Sequence, residues 1–247
     1  MFNAYILPMR NIEELVNTAK KYKKSVVQQE LKSKKNTVAY VTINNKPRVL
    51  KWFVPGLKRQ MNVEYTILKK GSSKLNIPTV FEMDEKNNVL VTNYIIGENL
   101  CDIINNKDTT QAEKQRLILL LAEWFKDFHN FFKKEKDFTI RGDPSLRNFI
   151  LTDRIWGVDF EEARPGRPVE DLAGMCASIL TTDPMFTKEK FNLCKLLLER
   201  YNELSPGRII NVNDEIAYAL LEKIQWRSED EEILRKYSKK IKQSGLS

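Results

Sequence analysis

The segment formed by residues 141–163, RGDPSLRNFILTDRIWGVDFEEA, decides how the rest of the chain is interpreted. Within it, Asp143 and Asn148 stand five residues apart in a polar stretch between two short apolar runs. Asp159 follows eleven residues after Asn148, directly after the apolar residues 155–158. Turn-forming residues between apolar runs are typical of a loop held between strands. The pattern therefore predicts a polar loop between two strands and an aspartate at the tip of a third strand.

An aspartate, an asparagine and a second aspartate in this order suit phosphoryl transfer. That reaction asks little covalent work of a protein, because catalysis is mainly positioning of the acceptor and neutralisation of oxyanion charge by Mg²⁺ and cationic groups. We therefore interpret residues 141–163 as a candidate centre for this chemistry.

Two charged residues upstream fit the same chemistry. Lys51 lies in VLKWF, with strand-forming residues on both sides. Glu64 follows thirteen residues later, within the helical stretch LKRQMNVEYTIL. An ion pair between them would leave the ammonium group directed at nucleotide phosphates.

The first hundred residues alternate short β-rich runs with polar turns, which predicts an antiparallel meander. The predicted strands are residues 26–31, 38–44, 47–53, 79–84 and 89–94, and the predicted helices are residues 11–23 and 57–70. From residue 98 onward the pattern is mainly helical.

Residues 110–134 carry apolar side chains at offsets of three, four and seven, which predicts a long amphipathic helix. Its His129 is the chain's only histidine and lies among aromatic residues, so we expect it to be packed in the core. Further helices are predicted at residues 171–180, 187–204, 213–225 and 228–243. The expected fold class is α+β and bilobal, with a small antiparallel N-lobe, residues 1–97, and a larger helical C-lobe, residues 98–247.

The composition is that of a globular protein in a reducing compartment. With 247 residues, 42% of them hydrophobic, the chain can bury a substantial core without disulfides. Its three cysteines form no CxxC pair, which argues against a disulfide framework or a zinc site and favours the cytoplasm. The longest apolar run, residues 117–122, is too short to span a bilayer, so we expect neither secretion nor membrane insertion.

The formal net charge of +8 has two interpretations. The lysine clusters are either a solvated surface or a field that attracts a polyanion such as ATP, RNA or another anionic partner. The sequence does not decide between them, and it does not set the oligomeric state.

The order of Lys51, Glu64, the hinge-like VTNYIIGENL, RGDPSLRN and VDFEEA resembles the protein-kinase-like superfamily over residues 26–182. Within that group, DFEEARPGRPVEDLA is most similar to the aminoglycoside phosphotransferase and choline kinase branch. RIO-type and KEOPS-associated kinases are relatives with a similarly small kinase domain. Protein kinases usually have glycine at the position of Glu161.

This resemblance implies ATP as the phosphate donor and Mg²⁺ (or Mn²⁺) as the metal. By the family pattern, Asp143 would orient the acceptor hydroxyl and take up its proton, and Asn148 and Asp159 would hold the metal between the phosphates. Asp171, in EDLA, would cap its helix and brace the loop that carries Asp143.

The resemblance also implies the nucleotide contacts. Lys51, held by Glu64, would contact the α and β phosphates, which makes Lys51 a catalytic as well as a nucleotide-binding candidate. Adenine would stack in the interlobe cleft and hydrogen-bond to the backbone of Asn93 and Ile95.

Three features depart from the family pattern. Arg141, a third catalytic candidate, stands where the family has histidine, and it would either anchor the loop or pair with a phosphate. The expected nucleotide-covering turn, residues 32–37, contains no glycine, so Lys34 and Lys35 would grip phosphates in place of a glycine-rich backbone. The run from Glu161 to Asp171 leaves no room for an activation segment, so regulation by phosphorylation of such a loop is not expected.

We expect transfer of the ATP γ-phosphate to a hydroxyl group of a small molecule, with residues 187–247 building the acceptor pocket. Two alternatives stay open. A RIO-like kinase acting on RNA or protein would fit the positive charge, and a nucleotide-binding pseudokinase serving as an interaction module would fit Arg141 and the turn without glycine.

Overall fold

The chain divides into two units, Met1–Ile96 and Gly97–Ser247. The computed structural model describes residues 12–18, 22, 24–33, 35–205 and 209–246. Within these residues, no helix has both the length and the apolar character needed to cross a lipid bilayer.

The first unit is built on an antiparallel sheet, as the alternation of β-rich runs and turns predicts. Its strands are β1 (Val26–Leu31), β2 (Thr37–Ile43), β3 (Lys46–Trp52), β4 (Val80–Asp84) and β5 (Val89–Asn93), in the order β1-β2-β3-β5-β4, and its helices are α1 (Ile12–Thr18) and α2 (Lys58–Gly71). The β2–β3 hairpin turns at Asn44 and Asn45, whose φ angles of 50° and 60° are left-handed. Asparagine tolerates this conformation, which matches the twist of a two-residue hairpin. The predicted meander is confirmed, with each strand end within one residue of its expected position.

Alternate residues of β3 face opposite sides of the sheet. Leu50 packs in an apolar cluster with β2, β5 and α1. Phe53, just after β3, packs on the other side with Met61 of α2. Lys51 therefore lies on the α2 face of the sheet. Of the helix predicted at residues 11–23, residues 12–18 form α1 and residue 22 lies beyond it, while residues 11, 19–21 and 23 lie outside the described residues.

The second unit is mainly helical, with short strands around residues 141–163. Its helices are α3 (Leu100–Asn105), α4 (Gln111–Phe131), α5 (Pro168–Leu180), α6 (Lys188–Leu204), α7 (Val212–Glu222) and α8 (Glu231–Ser244), and its strands are β6 (Glu98–Asn99), β7 (Phe138–Ile140), β8 (Phe149–Leu151), β9 (Ile155–Gly157) and β10 (Arg164–Gly166). The strands form a β6-β8-β9 sheet and a β10-β7 ladder. The long helices match the predicted ones. The sequence does not predict α3, β6 or β10, because elements this short carry no readable periodicity.

Aromatic side chains of α4 form the core beneath the short strands. Trp124, Phe125 and Phe128 are buried, and they pack against Phe149 of β8 and Phe160. The Trp124 ring centroid lies 5.2 Å from that of Phe128 and 5.0 Å from that of Phe149. Loss of one such ring from a core costs about 3–5 kcal/mol. Their burial agrees with the amphipathic pattern predicted for residues 110–134. The cluster fixes the strands on both sides of the loop that carries Asp143.

Candidate active site

The polar loop (residues 141–148) presents the Asp143 side chain to solvent. A 3-10 turn, Leu146–Asn148, closes the loop, and the Asn148 N–H donates to the Ser145 carbonyl over 2.9 Å. The Asn148 side chain folds back, so that its Nδ2 donates to the Asp143 carbonyl oxygen over 3.2 Å. This bond directs the Asn148 Oδ1 away from that carbonyl, and within the described residues Oδ1 accepts no hydrogen bond. The loop thus offers a carboxylate and an amide oxygen close together.

Asp159 follows β9 in a left-handed backbone conformation, with φ at 64°. For a residue other than glycine this conformation costs about 1–3 kcal/mol, and it persists only where the surroundings hold it. One restraint is the N–H of the preceding Val158, which donates to the Asn148 carbonyl over 2.9 Å. The end of β9 is therefore tied directly to the polar loop.

Arg141 supplies the second restraint on Asp159. Its guanidinium Nη2 donates to the carbonyl oxygens of Val158 and Asp159, over 2.7 and 3.0 Å. The guanidinium carbon also lies 4.7 Å from the ring centroids of both Phe149 and Phe160. With 1% of its surface exposed, the side chain is turned into the core. Of the two expected roles, this geometry favours the loop anchor over the phosphate contact, and it argues against the catalytic role expected of Arg141.

Gly142 can be replaced by no other residue without a shift of the backbone. Its φ of 79° is left-handed, and a Cβ atom placed on it would lie 2.1 Å from the Glu162 carbonyl oxygen. That separation is far inside van der Waals contact. Glycine here allows the polar loop to pack directly against the backbone that follows Asp159.

Asp171 of α5 braces the polar loop from beneath, as expected. Its carboxylate accepts from the N–H groups of Arg141 and Gly142, over 2.7 and 3.1 Å. The expectation that Asp171 also caps its helix is wrong, because it is the fourth residue of α5 and both its oxygens face the loop. Glu170 forms the capping interaction, accepting from the Arg167 N–H over 2.9 Å.

His129 joins Asp171 to a residue that the sequence does not single out, Tyr201 of α6. Its Nε2 lies 3.0 Å from Asp171 Oδ2 and its Nδ1 lies 2.9 Å from the Tyr201 hydroxyl. His129 and Asp171 are fully buried, which confirms the expected core position of the histidine. Burial raises the pKa of Tyr201 to about 12, and the nearby Asp171 carboxylate adds to the rise. The phenol is therefore protonated at neutral pH and can donate a hydrogen bond.

Oxygen atoms suitable for a divalent cation gather at the end of β9. The carboxylates of Asp159 and Glu161 come within 4.8 Å of one another, and the backbone carbonyl of Asn148 accepts from the N–H of Val158, the residue directly before Asp159. Carboxylate and amide oxygens are the ligands that Mg²⁺ prefers, so the donor set fits this ion. Glu161 was not among the metal ligands predicted from the sequence. The feature of the sequence that could have marked it is a carboxylate at the position where protein kinases usually have glycine.

In the first unit, Lys51 of β3 and Glu64 of α2 form the ion pair that the sequence led us to expect. Their Nζ and Oε2 atoms lie 2.7 Å apart, and the residues are 8% and 5% exposed. Because β3 turns Lys51 towards α2 and α2 turns Glu64 inward beside Met61, the pairing follows from the strand and helix periodicities. A buried pair of this kind holds both side chains in one orientation.

The remaining predicted nucleotide contacts also belong to the first unit. Asn93 ends β5, where its N–H donates to the Thr79 carbonyl over 3.1 Å. Ile95, two residues further on, is buried, and its backbone groups make no hydrogen bond to another described residue. Lys35 is exposed in the loop between β1 and β2, while Lys34 lies outside the described residues.

A cavity of about 330 Å³ lies against the polar loop, within the second unit. Gly142 and Pro144, the two neighbours of Asp143, form part of its wall. The other lining residues come from β7, β10, the Arg167 link, α5 and α7: Ile140, Arg164, Arg167, Glu170, Asp171, Gly174, Glu215, Tyr218, Ala219 and Glu222. Among the described residues of the predicted acceptor segment, residues 187–247, only those of α7 line this cavity.

The cavity is strongly polar. Arg164 and Arg167 both pair with Glu170, and Arg167 also pairs with Glu215. The carboxylate of Glu222 raises the pKa of the exposed Tyr218 beside it. The carboxylates of Glu170, Glu215 and Glu222 therefore lie together with two guanidinium groups and a phenol, an arrangement rich in both donors and acceptors.

Comparison with known proteins identifies the fold. The sequence matches no protein-family profile and no curated protein sequence. Solved structures do match. A choline/ethanolamine kinase family protein from Mesorhizobium loti superposes with a TM-score of 0.62 at 14% identity, covering 92% of each chain. The ternary complex of a thermostable mutant of aminoglycoside phosphotransferase APH(4)-Ia with ADP and hygromycin B gives 0.64 at 13%, covering 96% of this chain and 99% of that one.

A third match, the ternary complex of streptomycin and ATP with APH(2")-IIa, gives a TM-score of 0.61 at 16% identity and covers 90% of each chain. The chain therefore has the α+β, protein-kinase-like fold seen in aminoglycoside phosphotransferases and choline kinases, as its motifs led us to expect. At such identities the likeness shows the fold alone.

Proposed function

We propose that this chain is an ATP-dependent phosphotransferase that moves the γ-phosphate of ATP to a hydroxyl group of a small molecule. The observation that carries the proposal is the linkage of the polar loop to the end of β9. The Asn148 side chain donates to the Asp143 carbonyl, the Asn148 carbonyl accepts from the Val158 N–H, and the Arg141 guanidinium holds the Asp159 carbonyl. Phosphoryl transfer needs such pre-set positions more than it needs covalent chemistry.

Asp143 is the residue that orients the acceptor hydroxyl and accepts its proton. Its carboxylate is exposed at the tip of a loop whose backbone is held at Arg141, Gly142 and Asn148. A base acts only when it lies within hydrogen-bond reach of the proton it takes, so rigidity of the loop matters directly to the rate.

Asn148 and Asp159 hold the metal, and Glu161 supports Asp159 with a second carboxylate. When bound, Mg²⁺ (or Mn²⁺) supplies positive charge that neutralises the phosphate oxygens. The Arg141 guanidinium holds the Val158 carbonyl, and the Val158 N–H holds the Asn148 carbonyl. These bonds fix the backbone that carries the proposed metal ligands before an ion binds.

Lys51 provides the cationic contact to the ATP phosphates, with Glu64 holding its side chain in place. Asn93 and Ile95 are the proposed backbone partners of adenine, and the backbone groups of Ile95, which bond to none of the described residues, support this assignment. Lys35 and Lys34 remain proposed phosphate contacts. All three cysteines are free and buried, in line with the cytoplasmic location that we propose.

The acceptor binds in the cavity beside the polar loop. Gly142 and Pro144 place one wall next to Asp143. Small-molecule sites combine a preformed hollow with a few convergent polar groups, and this cavity has both. Its mixture of carboxylates, guanidinium groups and a phenol suits a polyhydroxylated molecule, because vicinal hydroxyls donate and accept at once.

A two-part experiment tests the proposal. Binding of ATP with Mg²⁺ is measured by calorimetry, and a panel of sugars, polyols and amino alcohols is then screened for phosphorylation with γ-labelled ATP. For any acceptor found, Glu222→Gln should raise its KM with little change in the KM for ATP, since Glu222 lines the cavity. Glu229→Gln, on the surface outside the cavity, is the control. ATP binding without transfer to any acceptor would instead favour the pseudokinase alternative.

A further inference from the structure

A chain of buried hydrogen bonds leads from α6 to the polar loop. It starts at the Tyr201 hydroxyl, passes through both ring nitrogens of His129, and ends on the Asp171 carboxylate that holds the Arg141 and Gly142 N–H groups. Tyr201 is 4% exposed, and His129 and Asp171 are 0% exposed. Because water does not reach these groups, each must find its hydrogen-bond partner inside the chain.

The direction of the bonds follows from the chemistry of the groups. An ionised carboxylate only accepts, and Asp171 already accepts from two backbone N–H groups, so its third contact requires a proton on Nε2 of His129. In neutral imidazole the other nitrogen, Nδ1, then carries a lone pair. The Tyr201 phenol stays protonated, with its pKa raised to about 12, and can donate to that lone pair. Which ring nitrogen carries the proton is set by the bond that the other nitrogen makes.

The surroundings of the imidazole allow no competing donor from the aromatic side. Its ring is enclosed by the rings of Phe125, Phe128 and Tyr201, with centroid separations of 5.8, 6.0 and 5.7 Å. The phenylalanines contribute only apolar contact. Within the described residues, the Tyr201 hydroxyl is thus the polar group that meets Nδ1.

We propose that Tyr201 is a positioning residue for the polar loop. Its hydroxyl holds His129 in the tautomer protonated at Nε2, and this keeps the Asp171 carboxylate aimed at the two N–H groups directly before Asp143. The role in turnover rests on the phosphotransferase function proposed above, whereas the role in fixing the tautomer does not. Tyr201, in α6, thereby helps to fix the backbone position of the polar loop, from which it is distant in sequence.

The single histidine makes the tautomer directly measurable. Two-bond ¹H–¹⁵N NMR spectra of ¹⁵N-labelled protein show one imidazole, that of His129. In the wild type we expect the neutral, Nε2-protonated pattern. A neutral ring protonated at Nδ1, or an imidazolium, would overturn the proposal without any variant being made.

Tyr201→Phe removes the hydroxyl and keeps the ring. We expect the His129 spectrum to shift towards a mixture of protonation states, and amide hydrogen exchange at Arg141 and Gly142 to accelerate about tenfold, the effect of losing one hydrogen bond. Exchange at Leu146 should not change, because its N–H is held separately by the Ser178 hydroxyl over 3.0 Å. Unchanged imidazole shifts together with unchanged exchange at Arg141 and Gly142 would refute the proposal.

Turnover gives a second, separate readout. With any acceptor, or with water, Tyr201→Phe should lower kcat about tenfold and leave the KM for ATP within about twofold of its wild-type value. The matched control is Tyr237→Phe, since the Tyr237 ring stacks on Phe186 and its hydroxyl makes no hydrogen bond to a described residue. Absence of any transfer by the wild type would remove the proposed function, and the NMR result would still decide the role of Tyr201.

Discussion

Replacement of Arg141 by methionine tests the idea that a buried guanidinium holds the polar loop and the Asp159 backbone together. The substitution removes two hydrogen bonds from a charged donor, to the carbonyls of Val158 and Asp159, and the contacts with the Phe149 and Phe160 rings. Hydrogen bonds to charged groups contribute about 1.5–3 kcal/mol each. Methionine refills most of the volume, so the two lost hydrogen bonds dominate, and we expect a loss of about 3–5 kcal/mol in the free energy of unfolding.

Urea unfolding followed by tryptophan fluorescence measures this loss, because Trp124 lies 5.5 Å from the guanidinium and reports on the same core. With a slope of about 2 kcal/mol/M, the unfolding midpoint should fall by about 1.5–2.5 M. Arg147→Met is the control, an exposed arginine of the same loop, and should stay within about 0.5 kcal/mol of the wild type. A loss below about 1 kcal/mol for Arg141→Met would refute the anchoring role.

Three further outcomes follow from the same structure. Gly142→Ala should lower the free energy of unfolding by about 2–4 kcal/mol and remove most activity, because the added Cβ would lie 2.1 Å from the Glu162 carbonyl oxygen. Thermal unfolding and turnover assays measure the two effects, and a Tm equal to that of the wild type would contradict the clash. Lys51→Met should lower transfer about a hundredfold and destabilise the fold, because it removes the cation that pairs with the buried Glu64 carboxylate. Adding Glu64→Leu should restore the unfolding midpoint without restoring transfer, and recovery of transfer would contradict the role of Lys51. Burial lowers the pKa of Lys190 to about 8, so between pH 8 and 10 the unfolded chain binds more protons than the folded chain. As the pH is raised from 8 to 10, the free energy of unfolding of the wild type should therefore rise by about 2 kcal/mol relative to that of Lys190→Met. Parallel plots of unfolding free energy against pH for the two proteins would contradict this.

Local patterns explain why much of the fold could be predicted. Strand ends agree to within one residue because each β-rich run is bounded by turn-forming residues such as Asn44 and Asn45. The Lys51–Glu64 ion pair could be predicted for a similar reason, since strand alternation and helix periodicity together put both side chains on the buried face.

Other parts of the site depend on contacts between distant residues and leave no local pattern. Tyr201 meets His129 across 72 positions of sequence, and nothing near Tyr201 marks it. Arg141 has the residue type of a phosphate ligand, but three rings from separate elements draw it into the core. The helix cap falls on Glu170 and not on its neighbour Asp171, because the carboxylate of Asp171 is taken up by the loop. Long-range packing thus decided which charged residues point inward.

The most direct test of the central claim follows the fate of the ATP γ-phosphate by ³¹P NMR in the presence of Mg²⁺ and the acceptor panel. The wild type should convert ATP to ADP with a new phosphate-ester resonance. Asp143→Asn should slow that conversion by about 10²–10⁴-fold, the contribution of a positioned base. Asp153→Asn, an exposed aspartate in the same segment whose partners among the described residues are its neighbours Arg154 and Thr152, should leave the rate unchanged. Equal rates in the wild type and in Asp143→Asn would contradict the account.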